Sequence, residues 1–264
     1  MGDTLYRNGN VRIQMEHIRG SGRLALLDEL RGLAIANMAA YHLCYDLSYI
    51  YGLGWQWFQS EWAGLWQICI SVSFLLMAGI CTGHSGRPYM RVLKVAACAA
   101  AVSAATFVLY PEQAISFGIL HCMAASMLLF ALLRGRISRI PALPGFVFAA
   151  LLALISWNVA RGYIGFEGLA AYRLPEFLYG TDWLFPLGLK GPSYRSADYF
   201  PLLPYFFVFM AGAFCRFAQT RPAYTERPRI RPLAFMGRHS LLIYMLHQPA
   251  IMGLLYLLSL AFGE

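Results

Sequence analysis

Residues 28–47 read DELRGLAIANMAAYHLCYDL, an apolar run that nonetheless carries Asp28, Glu29, Arg31, His42 and Asp46. Arg31 and His42 stand eleven residues apart. That is close to three helical turns, so both point to one side, about 16 Å apart along the axis. Asp46 follows His42 by four residues, shares that side and can reach the imidazole. An imidazole near neutral pH takes a proton from an attacking hydroxyl or amine, and a carboxylate behind it fixes its tautomer. Arg31 offers a planar fork suited to phosphate. Asp28, three residues earlier, can pair with it.

Further groups of the same chemistry lie along the chain. His121 sits in ISFGILHCMA, and His247 in GRHSLLIYMLHQP just ahead of Pro249. Asp198 opens SADYFPLLPY, while Arg238 and His239 begin the last apolar run, where an imidazole could bind phosphate or simply be solvated. Each has a plainer role available. Asp28 and Arg31 can be an interfacial ion pair, Asp46 an outer-surface polar group, His42 a satisfied core imidazole and Asp198 the N-cap of its own span. His17 and His84 fall in basic loops. The six cysteines (Cys44, Cys69, Cys81, Cys98, Cys122, Cys215) form no Cys-x-x-Cys pair. They read as packing residues rather than a disulfide framework or zinc site, and no metal is expected.

The elements that position these groups are membrane helices. The 264 residues are 59% hydrophobic and 13% charged, against about 45–50% and 25% for soluble domains. Seven runs are apolar enough to span: about 24–49, 64–83, 92–109, 115–133, 143–160, 199–218 and 238–262. Basic residues alternate between the connections. Arg7, Arg12, Arg19 and Arg23 precede the first run, Arg87, Arg91 and Lys94 precede the third, and Arg134, Arg136 and Arg139 precede the fifth. Arg216, Arg221, Arg227, Arg229, Arg231 and Arg238 precede the last. The connections 50–63 and 110–114 have no Lys or Arg, and 161–198 mixes Arg161, Arg173, Lys190 and Arg195 with four acidic residues. The positive-inside rule then places the N-terminus in the cytoplasm and the C-terminus outside.

The fold expected is therefore all-α, a polytopic helical membrane protein of about seven transmembrane helices in the cell's inner membrane. Residues 1–23 form a cytoplasmic segment without a cleavable signal. Residues 24–262 form a single membrane domain, with 161–198 extracytoplasmic and 219–237 a Pro-rich cytoplasmic linker. LPEFLYGTDWLFPLGL, inside 161–198, is too broken for a full span and reads as an interfacial or re-entrant segment. The net charge of +8 follows from the inner loops, which argues against nucleic acid as a partner.

LDELRGLAIANMAAYH, FGILHCM, SADYFPLLP and GRHSLLIYMLHQP together resemble the heparan-alpha-glucosaminide N-acetyltransferase catalytic-domain family, in its small bacterial branch within the transmembrane acyltransferase superfamily. The Arg-x10-His spacing of Arg31 and His42 is shared with bacterial membrane acetylases of O-antigen and peptidoglycan. The resemblance covers about 23–262. It implies transfer of an acetyl or acyl group from acetyl-CoA (acyl-CoA) to a sugar amine or hydroxyl across the membrane. Lipid, acyl-CoA and a glycan acceptor are then the partners. His42, Asp46, His247 and His121 would be catalytic, Arg31, Arg238 and His239 donor-binding, and Asp198 on the acceptor side. The lysosomal member carries Asn in place of His42 and a catalytic His in the following loop. That loop here, YGLGWQWFQSEWAGLW, has no His, so a heparan-type acceptor is not implied. A transporter or flippase is the alternative the polar helices also suit, and a haem protein a more distant one.

Overall fold

The computed structural model describes residues 25–84, 87–166, 170–218 and 228–262. The chain is predominantly helical. Helix α1 covers Ala25–Tyr45 and runs into a π-turn at Asp46–Ile50. Next come α2 (Glu61–Ile80), α3 (Pro88–Leu109), α4 (Ile119–Ile137) and α5 (Ala142–Ile155). A small antiparallel hairpin of β1 (Tyr163–Phe166) and β2 (Ala170–Arg173) leads through 3-10 turns to α6 (Leu202–Ala218). A short α7 (Arg231–Arg238) and a long α8 (Ser240–Phe262) close the fold.

Among the described residues five segments are long and apolar enough to cross a membrane: α2, α3, α4, residues 142–161 and α8. Seven were expected. Helix α1 departs because its 21 residues keep Asp28, Glu29 and Arg31 together near one end. Helix α6 departs because its apolar part, Leu202–Cys215, is short; Leu203 has extended backbone, so the helix proper begins at Pro204. Both nevertheless pack inside the same bundle. The faces of α3 and α8 carry exposed Leu93, Phe107, Val108, Leu254, Leu257 and Leu260, as a lipid-facing surface should. Several such helices make this a multi-pass membrane protein.

Helix α6 is the centre of the core. Phe209 is fully buried, with Val208, Phe214, Leu75, Phe130 and Cys122 around it. The α2–α6 contact depends on two reciprocal glycines. A Cβ on Gly79 would lie 2.1 Å from the carbonyl oxygen of Phe209, and one on Gly212 would lie 2.1 Å from that of Leu76. Among apolar helices without a hydrophobic drive to associate, such small residues let backbones approach and gain dispersion contact.

The same device joins α1 to α7. A Cβ on Gly32 would lie 1.9 Å from the Leu233 carbonyl oxygen, and one on Gly237 would lie 1.7 Å from that of Asp28. Residues 228–237, expected as linker, thus hold a helix bound to α1, while 1–23 and 219–227 lie outside the described residues. The described residues of 161–198 form the hairpin and 3-10 turns.

Gly32→Ala should destabilise the protein by about 1–3 kcal/mol, the usual cost of overpacking. Gly64→Ala, on the open side of α2 with nothing within 4 Å, should be neutral or stabilise by up to about 1 kcal/mol. Thermal unfolding in detergent reads both, and equal midpoints would remove the glycine contact as the cause.

Candidate active site

Helix α1 reaches two cavities. The larger, about 240 Å³, lies at the end of the bundle where α1 starts. Its polar lining is Arg31 from α1, Arg91 and Lys94 from α3, and Arg238 from α7. Met77, Met123 and Met127 supply much of its apolar wall. The smaller, about 40 Å³, lies toward the hairpin end and is lined by Met38, Tyr41, His42, Ser71 and Asp198, among others. Phe74, Ile119 and Tyr244 border both. The helical spacing that put Arg31 and His42 on one side thus places one in each cavity.

The cations of the larger cavity are held differently. Arg31 pairs with Asp28, Nη1 to Oδ1 at 3.5 Å. Arg91 donates from Nη1 to the Cys81 carbonyl at 2.9 Å. Lys94 and Arg238 make no ion pair among the described residues. Neighbouring Glu29 serves the scaffold, its Oε1 accepting from the Ile230 N–H at 2.9 Å and so holding the start of α7. Four cations converging on a volume this small suit a group bearing several negative charges. The volume is below the roughly 300–1,000 Å³ of a full small-molecule pocket, so it admits only part of a larger ligand at a time.

His42 does not meet Asp46. The α-helix runs unbroken to Tyr45, and from Asp46 the chain widens to π geometry, with Tyr51 N–H donating to the Asp46 carbonyl five residues back at 3.0 Å. The four-residue spacing holds, but the carboxylate is taken by a side chain of another helix. Asp46 is fully buried, and both its carboxylate oxygens accept from Gln248 Nε2, at 3.1 and 2.9 Å. The neighbour of His42 is instead His247, with ring centroids 4.8 Å apart. His247 Nδ1 lies 2.6 Å from the Tyr244 carbonyl. A carbonyl only accepts, so Nδ1 carries the proton and Nε2 is left as the acceptor. That Nε2 is buried and has no hydrogen-bond partner.

The remaining expected residues separate. His121 is a cap: its Nδ1 accepts from Gly118 N–H at 3.3 Å, and its Nε2 lies 3.3 Å from the Ser103 hydroxyl. Both nitrogens are used, and the imidazole lines neither cavity. His239 folds back on α7, Nδ1 donating to the Phe235 carbonyl at 3.0 Å, its ring against that of Phe235. It does not reach the cation cluster. Asp198 is brought to His42 by backbone pairing of 197–200 with 114–117: Ala197 N–H donates to Ala114 and Phe200 N–H to Phe117. Its carboxylate accepts from Ile119 N–H, capping α4 rather than its own helix, and a Cβ on Gly118 would lie 2.8 Å from Oδ2. Burial pushes the Asp198 carboxyl up to about 6, and the Ile119 N–H pulls it the other way.

Sequence reasoning passed over Arg91 and Lys94, counted only as loop charges, although their three-residue spacing puts them on one face of α3. It also passed over Tyr244 and Gln248. The signal for both was there: three residues before and one after His247, beside the helix-interior Pro249. No group of His, Cys, Asp or Glu among the described residues is arranged to hold a metal ion.

Residues 23–249 match the family described as heparan-alpha-glucosaminide N-acetyltransferase, catalytic. The chain belongs to this family. Membership makes it a membrane transferase of an acetyltransferase family whose general donor is acetyl-CoA. The match extends to Pro249 and so includes α1, both cavities and the His42–His247 pair. No curated protein and no solved structure matches the chain significantly.

Asp46 and Gln248 make a clean stability test. Gln248→Leu strands a buried carboxylate and should cost at least about 1–3 kcal/mol. Adding Asp46→Leu should recover part of that loss, a coupling that a thermal double-mutant cycle measures. Additive losses would mean the pair does not interact.

Proposed function

We propose that this protein transfers an acetyl, or another acyl, group from acyl-CoA on the cytoplasmic side to an amine or hydroxyl of a sugar on the extracytoplasmic side of the inner membrane. Residues 24–262 act as one membrane domain. The observation that carries this reading is the pair of cavities, one cationic and one lined by His42 and Asp198, meeting at a common wall. A donor phosphate held by Arg31, Arg91, Lys94 and Arg238 leaves the acyl end directed at that wall. Arginine forks and a lysine charge are suited to phosphate.

In this reading His42 takes the proton of the attacking hydroxyl or amine. His247 Nε2 accepts an N–H from His42 and orients it, the role first expected of Asp46. The acceptor oxygen or nitrogen bonds to the thioester carbonyl carbon, and negative charge develops on the carbonyl oxygen. The Tyr244 hydroxyl, at the junction of the cavities, donates to that oxygen. The carbon–sulfur bond then breaks, and the coenzyme A thiolate takes the proton from His42. Asp198 meets the acceptor.

Purified protein given labelled acetyl-CoA and a total cell-envelope extract should label an acceptor in it; unchanged donor and acceptor after prolonged incubation would end the proposal in favour of transport. His42→Ala and His42→Gln should each lower transfer about 10²–10⁴-fold, and Tyr244→Phe about 10²-fold, all with wild-type thermal unfolding. Arg31→Lys should weaken donor binding without restoring the wild-type value, because lysine lacks the fork. Asp46→Asn should keep most activity, since that carboxylate serves Gln248. The orientation is read by a reporter after Glu264, which should be active outside the cytoplasm; activity of a cytoplasm-only reporter there would reverse it.

A further inference from the structure

The hairpin end holds a groove that the reaction above does not use. It measures about 860 Å³ and is walled by Arg161, Arg173, Lys190, Glu176, Tyr163 and Tyr179, among others. Three cations face one carboxylate. Among the described residues Arg161 donates to Asn158 Oδ1, at 3.4 Å, Lys190 rests 5.5 Å above the Tyr199 ring, and no carboxylate pairs with any of the three. Of the described acids of the segment, Glu176 lines the groove, Asp198 caps α4 and Asp182 is not part of the lining. The described lining of the groove is therefore net positive.

Two further observations narrow what such a groove takes. On the extracytoplasmic face Lys and Arg are disfavoured, so three exposed cations gathered on one groove there suit an anionic ligand. Around them the same segment exposes Tyr172, Phe177 and Trp183, at 69%, 76% and 88%. Aromatic side chains of this kind sit at the headgroup level of a bilayer. Arginine forks match phosphate oxygens. Lys190, through Tyr199, adjoins Asp198 and hence the His42 cavity.

We propose that this groove binds the phosphate head group of an anionic lipid, and that the acceptor is drawn from that chemical class, a lipid-borne molecule rather than a soluble glycan. The inference rests on the proposed sidedness and acyl transfer. The phosphate would lie between Arg161, Arg173 and Lys190, with the lipid chain along the exposed aromatics. The head group's free hydroxyl or amine would extend past Tyr199 toward Asp198.

The first arm of the test needs no donor. Short-chain phosphatidylglycerol, short-chain phosphatidylcholine and inorganic phosphate are titrated into the purified full-length protein, with tryptophan fluorescence as the readout. Phosphatidylglycerol should bind at least tenfold more tightly than either of the others. The combined variant Arg161→Gln, Arg173→Gln and Lys190→Gln should lose at least tenfold of that affinity, with unchanged thermal unfolding. Equal binding of the two lipids, or phosphate binding as tightly as the lipid, overturns the lipid assignment. An unaffected triple variant overturns the site; if that variant unfolds, Lys190→Gln alone, at the exposed edge, must still weaken binding. The second arm gives wild-type protein labelled acetyl-CoA and a total envelope extract. Label in the organic-solvent fraction supports a lipid-borne acceptor, and label only in the aqueous fraction overturns it. Absence of any transfer would count against the acyltransferase reading alone, and the binding arm would still decide the groove.

Discussion

Where α1 crosses α7, two backbones come closer than any side chain would permit. Gly32 faces the carbonyl of Leu233 and Gly237 faces that of Asp28. Each glycine stands beside an arginine in sequence, so the contact that removes two side chains also fixes Arg31 and Arg238 at one cavity. Glu29 reinforces it by accepting the Ile230 N–H. The charged start of α1 is tolerable in an apolar bundle for this reason. Its acids are consumed by α7 and by Arg31, leaving positive charge at the cavity. Without that approach, Arg238 would be one more loop arginine.

The polar groups deeper in the bundle follow a related rule. A buried polar atom costs free energy unless it has a partner, and several here have been given one from another element. Asp46 has Gln248, Asp198 has Ile119 N–H, His121 has Gly118 and Ser103, and Asn37 Oδ1 accepts from the Trp66 indole N–H at 3.1 Å. Among the described residues five buried side-chain polar atoms have no partner: Ser48 Oγ, Ser126 Oγ, Tyr194 OH, Gln248 Oε1 and His247 Nε2. Of these, His247 Nε2 belongs to the ring that lies against His42, which lines a cavity, and that position is what the proposed mechanism uses.

Much of this was legible in the sequence. The apolar runs matched the helices to within a few residues, because a run of twenty apolar side chains has few other fates. The Arg31–His42 spacing also survived, since it depends only on an unbroken α-helix from one to the other. The His42–Asp46 pairing failed because Gln248, a side chain 202 positions away, takes both carboxylate oxygens, which helical spacing cannot foresee. His121 and His239 looked like site residues because an imidazole in an apolar stretch draws attention. Their partners are the Phe235 carbonyl for His239, and the Gly118 N–H and the Ser103 hydroxyl for His121, none of which residue type reveals. Arg91 and Lys94 were hidden by a rule that explained them too well, as topological charges. Their meeting with Arg31 is a tertiary fact.

The wall of Phe74, Ile119 and Tyr244 has a consequence for the cell that houses this protein. A bundle with guanidinium groups at one end and imidazoles and carboxylates toward the other resembles a proton wire with its terminals already in place. Two hydrocarbon side chains and the body of a tyrosine ring interrupt the file. An ion passing between the cavities would have to shed its water against them. Under the proposed transfer, which links the two faces of an energised membrane, that wall would keep the chemistry from discharging it.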